Sequence, residues 1–422
     1  MTHLPTVFGS DRVDVLALPW DVALENWPES VLVALPQGIS RHTVRFVQVG
    51  DDVVAVKETT SEMAAREYDL LRRLRKRGVP AVKAIAVVTE RVNADGEELP
   101  AALITKHLRF SMPYRAVFSK TLRPDTATRF VDAMAVLLVR LHLTGFYWGD
   151  VSLSNVLFRR DAGSFAAYLV DAETGELIDG DLSSGQRAND IEIARVNIAG
   201  ELLDLLAGGR LDPSIDPVGL AAKFVASYDK LWAELTEWQT MDSTETWQIA
   251  ERVERLNELG FDLGEISLTT DVPGSAVQVR PKVVDAGHHS RRLIRLTGID
   301  AEENQARRLL NALDEYSARS QKDDQWDEDR AAHEWLVSEF EPTIESIPED
   351  LRGKLDAPQV FHEILEHKWY LARQRERDVP LAEAASAYFS DILRHRRDEE
   401  VLVSPPTTTI SIPVITDWRD LV

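Results

Sequence analysis

The sequence of 422 residues contains no cysteine, and acidic residues outnumber lysine and arginine by 70 to 48. The absence of cysteine excludes disulfide bonds, thiol nucleophiles and cysteine-ligated zinc. The formal net charge of −22 at pH 7 argues against nucleic acid or an anionic membrane as a partner, because both repel an acidic surface. A local positive patch can still hold a small anion such as a nucleotide.

Long apolar runs and an export signal are missing too. No run approaches the about 20 apolar residues that cross a bilayer. The N-terminus lacks a basic head, an apolar stretch and a small-residue cleavage site, so we expect a cytoplasmic protein without a membrane span. With 44% hydrophobic and 28% charged residues, the composition is typical of globular proteins. The length is too great for one compact core and predicts two or three domains.

Two acids and an amide stand at a spacing that phosphoryl transfer uses. Asp150 is followed five positions later by Asn155, and an apolar run, a polar turn and a second apolar run then lead to Asp171. One carboxylate orients an attacking hydroxyl, while an amide and a second carboxylate hold the magnesium that neutralises nucleotide phosphates. The structural alternative is an Asp that caps a turn and an Asn that bonds its own backbone.

A lysine and a glutamate upstream extend this pattern. Lys57 ends the last of three predicted strands, at residues 31–36, 43–49 and 52–58. A helix capped by Ser61 or Thr60 follows, and on it Glu67 is the expected ion-pair partner of Lys57. The alternative for each residue alone is a solvated surface group. Residues 1–28 predict a helix or an extended arm.

Further elements are predicted between this helix and Asp150. Two strands are expected at residues 81–88 and 98–108, and the second leads into a hinge near residues 104–108. A buried helix then begins at Pro124 and ends at Gly145. His142 lies on that helix, and we interpret it as a core histidine rather than a catalytic base.

These residues together resemble the protein-kinase-like superfamily. The resemblance rests on Lys57, Glu67, the run W-G-D-V-S-L-S-N and the run L-V-D-A-E. It is closer to aminoglycoside phosphotransferases, RIO-type kinases and bacterial lipopolysaccharide (Kdo/WaaP-type) kinases than to Ser/Thr protein kinases, and it spans about residues 31–206. The runs K-V-V-D-A-G-H-H-S-R-R-L-I-R-L-T-G and F-H-E-I-L-E-H-K-W-Y-L-A resemble a bacterial family that joins such a kinase-like part to a C-terminal domain of unknown function.

The resemblance implies an α+β fold with a small antiparallel β lobe, a large α lobe and an appended, mostly α C-terminal domain. The predicted boundaries are 1–108 for the arm and small lobe, 109–235 for the large lobe, 236–400 for the C-terminal domain and 401–422 for an extended tail. It also implies ATP and Mg²⁺ as cofactors. Asp150 would be the catalytic base, Asn155 and Asp171 the metal ligands, and Lys57 the phosphate anchor with Glu67 as its partner.

The sequence departs from the family pattern at several positions. The loop that should be rich in glycine has only Gly38, so Ser40, Arg41 or the following histidine would have to contact phosphate directly, or nucleotide binding is weak. Ser152 stands where protein kinases have a lysine. Glu173, two residues after Asp171, is either an additional metal ligand or an exposed acid, and we expect the exposed acid. Asp190 would either support the catalytic loop or cap a helix.

The C-terminal half predicts helices at residues 218–260, strands at 262–284 and a run of helices from 300 to about 397. His362 and Glu366 stand at i, i+4 and could share a metal, but neither zinc motif is complete, so a structural role is favoured. A basic group stands out in this acidic chain, and we expect it to pair with acidic helices rather than bind an anion: Arg280, Lys282, His288, His289, Arg291, Arg292 and Arg295.

The sequence therefore predicts an ATP- and magnesium-dependent phosphotransferase that acts on a hydroxyl of a small molecule or of a sugar- or lipid-linked acceptor. Its expected partners are a nucleotide, that acceptor and a protein bound through the C-terminal domain. The alternative is a pseudokinase scaffold or a regulatory protein-interaction module, which the missing glycines and Ser152 favour. Retention of Lys57, Asp150, Asn155 and Asp171 favours the enzyme.

Overall fold

A computed structural model describes the greater part of the chain: residues 6–9, 13–33, 35, 42–50, 52–118, 122–237, 239–242, 261–262, 265–270, 276–282, 285–320, 327–396 and 399. Among the predictions, Gly38, Ser40, Arg41, the second half of the helical stretch 218–260 and the tail 401–422 lie outside these residues. The chain forms two compact units. The first contains Met1–Phe158 and Ala167–Val225, and the second contains Arg159–Ala166 and Ala226–Glu400.

A five-stranded antiparallel sheet forms the small lobe of the first unit. Its order is β1-β4-β7-β3-β2, with every neighbouring pair antiparallel. Buried and less buried residues alternate along parts of β2 and β3, whereas β4 and β7 are mostly buried, because a helix also packs against them. Their bounds are Thr6–Phe8 (β1), Val44–Val49 (β2), Asp52–Thr59 (β3), Lys83–Thr89 (β4) and Ala101–Lys106 (β7), while Arg91–Val92 (β5) and Glu98–Leu99 (β6) form a separate small ladder.

One helix, α1 (Ser61–Lys76), packs against β4 and β7 of this sheet. Thr60 caps it, since its hydroxyl accepts from the Met63 N–H at 3.3 Å, which confirms one of the two predicted caps. The helix places apolar side chains at helical spacing on one face, and Glu67 lies buried among them: Ala64, Tyr68, Leu70, Leu71 and Leu74.

The N-terminal arm is attached through a buried arginine. Arg91 donates to the carbonyls of Trp20 and Val22 and forms a 2.8 Å ion pair with Glu58. The arm contains three short 3-10 turns, Val13–Ala17, Leu24–Asn26 and Glu29–Val31. The prediction of a strand at residues 31–36 is wrong for the residues that the structure describes. The last 3-10 turn ends at Val31, and Leu32 forms a single bridge with Val47. Val31 and Leu32 pack against the lobe core without forming a strand ladder.

The large lobe consists mainly of helices. The predicted buried helix is confirmed as α3 (Pro124–Leu143), and its chain reverses at Gly145, which has φ of +79°. The other elements are β8 (Met112–Pro113), α2 (Tyr114–Val117), β9 (Phe146–Tyr147), β10 (Val156–Asp161), β11 (Ser164–Leu169), β12 (Glu176–Leu177), α4 (Ser184–Ala207) and α5 (Pro217–Thr236).

The second unit is mostly helical, with short strands at its start. The strands predicted within 262–284 are confirmed as an antiparallel pair, β15 (Glu265–Thr270) and β16 (Ala276–Lys282). The remaining strands are β13 (Gln239–Asp242), β14 (Phe261–Asp262) and β17 (Asp285–Ala286). A helix that was not predicted, α6 (His288–Thr297), comes next. The predicted run of helices from residue 300 is confirmed as α7 (Glu303–Ser320), α8 (Glu328–Trp335), α9 (Glu341–Glu345), α10 (Ala357–Arg375) and α11 (Leu381–Asp391).

A buried polar network accompanies the apolar core of the second unit. Asp161, at the hairpin tip 159–166, accepts from the Gln305 N–H at 2.8 Å and from the Asn304 amide at 2.9 Å. Arg159 pairs with Glu302 at 2.7 Å and with Asp356. The hairpin tip, a polar turn in the sequence, is therefore a partly buried element of this unit.

The two C-terminal features with ligand-like chemistry have structural explanations. Arg292 and Arg295 of α6 pair with Glu328 of α8, as expected for a basic group that faces acidic helices. Burial lowers the pKa of His362, whose Nε2 is 3.4 Å from Glu366 Oε1. Among the described residues, the cluster that could hold a metal is elsewhere, in the first unit.

Candidate active site

A lysine surrounded by three carboxylates forms the centre of the first unit. Lys57 Nζ lies 3.1 Å from Glu67 Oε2, 2.9 Å from Asp171 Oδ2 and 2.9 Å from Glu173 Oε2. Strand β3 supplies the lysine, α1 supplies Glu67, and the segment after β11 supplies both other acids. The predicted pair of Lys57 and Glu67 is confirmed, and the structure brings both residues to Asp171.

Glu67 also ties α1 to the segment that carries Asp171. Its Oε1 accepts from the Ala172 N–H at 3.2 Å, while its Oε2 contacts Lys57. Asp171 in turn accepts from the Glu173 N–H at 2.9 Å. Each carboxylate oxygen has two lone-pair directions, so these contacts leave Asp171 able to bind a cation.

The charges in this cluster do not balance. Burial opposes the charge of Lys57, but Glu67 and then Asp171 outweigh it and raise the pKa of the lysine. Burial, and next the charge of Asp171, raise the pKa of Glu67 to about 7 in spite of Lys57. Both pKa values rise because one ammonium faces three carboxylates within a partly buried space. A divalent cation would remove the excess negative charge.

The loop of residues 148–155, the candidate catalytic loop, holds Asp150 and Asn155 in contact. The Asn155 side-chain amide donates to the Asp150 carbonyl at 3.0 Å and to its carboxylate Oδ2 at 3.2 Å. The Asn155 carbonyl accepts from the Val170 N–H at 3.0 Å, next to Asp171 in the chain. The amide nitrogen is thus engaged with Asp150, and the amide oxygen remains the ligand atom that Asn155 could offer to a metal.

Helix α4 holds the backbone of this loop through three side chains. Asp190, fully buried, accepts from the Trp148 and Gly149 N–H groups at 2.8 Å each. Glu201 accepts from the N–H groups of Leu153 at 2.8 Å and Ser154 at 3.0 Å, and Asn197 donates to the Val151 carbonyl at 3.0 Å. Asp190 therefore supports the loop, and it is not a helix cap, since Ser183 caps α4.

His142 is buried as predicted, with Nε2 3.1 Å from Asp190 Oδ2. Burial lowers the pKa of His142, and Asp190 opposes that shift. The imidazole therefore orients a carboxylate and has the structural role expected of a core histidine.

Gly149 is required by the backbone at the residue before Asp150. Its φ is +76°, a conformation that residues with a Cβ atom rarely adopt. A Cβ atom there would make only ordinary van der Waals contacts, at 3.4 Å from Tyr147 and 3.5 Å from the Thr174 carbonyl, so the backbone conformation and not space is the constraint. The positive φ favours glycine at this position.

A cleft of about 1000 Å³ opens onto part of this cluster. Lys57, Asp150, Asn155 and Asp171 line it together with the predicted hinge. At that hinge, burial lowers the pKa of His107 to about 4, so the ring is neutral at pH 7. The other hinge residues that line the cleft are Thr105, Lys106 and Leu108.

Two residues with open roles in the sequence, Glu173 and His42, also line the cleft. Glu173 is not an exposed acid: its side chain is 11% exposed and contacts Lys57. The expectation was wrong because the separation of Glu173 from Lys57 in the chain conceals their contact in the fold. His42 lines the same cleft, with Nε2 2.9 Å from Glu173 Oε2. Its position just before β2 was the available signal for a phosphate-facing role.

Comparison with protein families gives two matches. Residues 48–194 match the family model described as lipopolysaccharide kinase (Kdo/WaaP) family. Residues 230–393 match a domain of unknown function, DUF4032. The chain thus joins a part similar to the lipopolysaccharide kinase (Kdo/WaaP) family to a part similar to a domain of unknown function. Both parts of the predicted resemblance are confirmed, and the kinase-like match contains Lys57, Glu67, Asp150, Asn155 and Asp171.

Other comparisons add little to this kinase-like assignment. A search of curated proteins gave no match. Among solved structures, one described as "WaaP in complex with acyl carrier protein" is similar at 14% identity and a TM-score of 0.37. The similarity covers 60% of this chain and 99% of that one. Within the described residues, no helix has the length and apolar character to cross a membrane.

Proposed function

We propose that the kinase-like unit is an ATP- and magnesium-dependent phosphotransferase that acts on a hydroxyl of a small molecule or of a sugar- or lipid-linked acceptor. The observation that carries this proposal is the convergence of Lys57, Asp150, Asn155 and Asp171 on one cleft. These are the residue types that phosphoryl transfer requires for phosphate anchoring, hydroxyl orientation and metal binding.

The donor set fits magnesium. Asp171 and Glu173 offer carboxylate oxygens and Asn155 offers an amide oxygen, all from residues that line the cleft. Hard oxygen ligands of this kind are those that Mg²⁺ uses, usually one or two carboxylates together with substrate phosphates. Mg²⁺ would supply charge neutralisation for the triphosphate and would offset the excess of carboxylates around Lys57.

The chain's own residues then divide the remaining work. Lys57 binds the phosphates, and Glu67 holds the ammonium in place. Asp150 orients the acceptor hydroxyl and accepts its proton, and the Asn155 amide fixes the Asp150 carboxylate through its 3.2 Å contact. Helix α4 keeps the loop rigid, so that the position of Asp150 is set before the substrate binds.

Binding of Mg²⁺-ATP tests the proposal in the full-length chain. A ligand that binds only the folded state stabilises it by about 2.7 kcal/mol at 100 times its Kd. We expect ATP with Mg²⁺ to raise Tm, and Asp171→Asn to abolish that shift. Asp181→Asn, an exposed acid outside the cleft, is the matched control and should behave as wild type. Wild-type protein without any shift at millimolar Mg²⁺-ATP would contradict nucleotide binding.

A further inference from the structure

An exposed pair of aromatic side chains lies on the C-terminal half of α10, in the second unit. Trp369 is 63% exposed and Tyr370 is 57% exposed, and Trp369 is the most exposed of the large apolar side chains that the structure describes. Trp and Tyr are enriched where proteins meet, because each offers a large, rigid apolar surface together with one polar group. Two of them side by side on a helix are typical of a surface that another molecule covers.

The pair belongs to a short stripe that has opposite charges at its two ends. Positions 366, 369, 370 and 373 stand at i, i+3, i+4 and i+7, so their side chains share one face of α10. Glu366, whose side chain is 62% exposed, begins this face, and the exposed Arg373 ends it. The α10 stripe, as we call these four residues, therefore reads acid, aromatic, aromatic, base.

Within the described part of the chain, no ion pair between two charged groups neutralises either end of the α10 stripe. Glu366 has His362 beside it, with Nε2 3.4 Å from Oε1, but burial lowers the pKa of His362, so the ring is neutral at pH 7. The guanidinium of Arg373 lies over the ring of Trp369, 5.4 Å from its centroid. An acid and a base thus remain for a partner to match.

A groove of about 810 Å³ lies beside the α10 stripe, where α10 packs against α7. Trp369 and Tyr370 line it together with the apolar side chains of Ala312, Leu365 and Ala372. Pockets that hold organic ligands measure roughly 300–1000 Å³, so an aromatic ring from a second molecule fits in this groove. A surface that combines protruding rings with such a groove can accept a copy of itself.

We propose that two copies of the chain associate through the α10 stripe, with antiparallel α10 helices and a two-fold axis between positions 369 and 370. In a two-fold interface, residue i of one copy contacts residue j of the other, and j contacts i in return. About this axis, Glu366 of each copy faces Arg373 of the other. Trp369 of each copy likewise faces Tyr370 of the other, beside the groove.

The order of the charges favours a second copy over other occupants. A parallel pairing of two stripes would place Glu366 beside Glu366 and Arg373 beside Arg373, and like charges that meet at an interface are strongly unfavourable. A uniformly acidic or basic partner would match one end of the stripe and oppose the other. The antiparallel copy matches both ends.

The small size of the stripe indicates a weak dimer. A standard interface buries roughly 800 Å² on each partner, whereas an aromatic side chain contributes roughly 150–250 Å². Two aromatic rings on each copy therefore cover part of a standard interface, and the groove walls add the rest of the contact. We expect a dissociation constant on the order of micromolar.

Sedimentation velocity of the full-length chain, at about 1 to 200 µM so as to bracket the expected Kd, tests this proposal. We expect wild type to form a dimer in a concentration-dependent manner. Glu366→Arg and Arg373→Glu should each raise the Kd at least about tenfold, because the two-fold axis repeats each like-charge contact. The double variant exchanges the two charges and should return the Kd to within about threefold of wild type.

The matched control is Glu345→Arg, the same charge reversal at an exposed residue of α9 outside the stripe and the groove, which should associate as wild type does. Trp369→Ala should raise the Kd at least about tenfold, as expected for an aromatic residue at the centre of an interface. Far-UV circular dichroism and Tm verify that each variant is folded.

Three results would overturn the proposal. Wild type that stays monomeric at about 200 µM, well above the expected Kd, would leave the α10 stripe to a different occupant. Single charge reversals that leave the Kd unchanged would place a dimer interface elsewhere on the chain. A double variant that stays as weak as the single variants would contradict the antiparallel pairing of Glu366 with Arg373.

Discussion

Lys57 Nζ lies 2.9 Å from Asp171 Oδ2, although 114 positions separate the two residues in the chain. Glu67 connects them, because its carboxylate contacts the ammonium and also accepts from the Ala172 N–H. A strand, a helix and the segment after a second strand are thus joined at one point. The relation links the residue proposed to bind phosphate to a residue proposed to bind the metal.

Removal of Lys57 should destabilise the unit as well as abolish nucleotide binding. Lys57→Met leaves a buried glutamate and two further acids without their cation, and removal of one partner of a buried pair costs about 3–5 kcal/mol. Urea unfolding at pH 7 measures this. The double variant Lys57→Met with Glu67→Gln should be more stable than Lys57→Met alone, because the buried charge is removed. Additive losses of stability would show that the two side chains are not coupled.

Asp190 should be needed for both the stability and the activity of the catalytic loop. Asp190→Ala leaves the Trp148 and Gly149 N–H groups unsatisfied in a buried place, at about 1–3 kcal/mol for each group. We expect unfolding free energy to fall by about 2–5 kcal/mol and phosphate transfer to be lost. The control is Glu192→Ala, an exposed acid on the same helix that pairs with Arg195, which should change stability by less than about 0.5 kcal/mol. Equal effects of the two variants would contradict the assigned role.

Gly200→Ala should stabilise the protein. Gly200 lies within α4 with open space around the added methyl group, so alanine restricts the unfolded chain without a clash. The expected gain is about 0.5–1 kcal/mol, measured as an increase in the midpoint of urea unfolding with an unchanged slope. A loss of stability would show that a methyl group at position 200 of α4 clashes with neighbouring atoms.

Asp161 should make stability depend on pH. Burial, and next the charge of Glu302, raise the pKa of Asp161 to about 7, above its usual 3.8. The folded state therefore binds a proton that the unfolded state releases, and this residue lowers stability as pH rises from about 4 to about 7.

The asparagine side chain of Asp161→Asn does not ionise between pH 4 and pH 7. The unfolding free energy of this variant should therefore decline less steeply over this range than that of wild type. Urea unfolding at pH 4.5, 5.5, 6.5 and 7.5 compares the slopes. The matched control is Asp300→Asn, because Asp300 is exposed and lies outside the hydrogen-bond network around Asp161. A variant slope as steep as that of wild type would contradict the raised pKa.

Local patterns predicted much of the site. Periodicity placed Glu67 on a helix after the strand of Lys57, and the spacing from Asp150 to Asp171 predicted a loop and a hairpin, as the structure shows. These features depend on residues close together in the chain, where turn and helix rules apply.

The predictions failed where residues far apart in the chain determine whether a side chain is buried or a segment is paired. Glu173 resembles an exposed turn acid until the fold brings Lys57 and His42 to it. The polar turn at 159–164 carries no sequence signal of burial, yet Arg160 and Asp161 are buried because Gln305 and other residues far along the chain satisfy their hydrogen bonds. The apolar run at Val31 packs without a ladder, which alternation alone cannot distinguish from a strand.

The most direct test of the central claim is ADP formation from Mg²⁺-ATP, with neutral hydroxyl compounds such as glucose and inositol present as acceptors, by wild-type protein and by Asp150→Asn. General acid–base groups contribute about 10²- to 10⁴-fold to rates. We predict that Asp150→Asn keeps the Mg²⁺-ATP shift in Tm and loses ADP formation at least about 100-fold. Wild-type protein that binds Mg²⁺-ATP and forms no ADP, or a variant as fast as wild type, would contradict the account of the cleft as a phosphotransferase site.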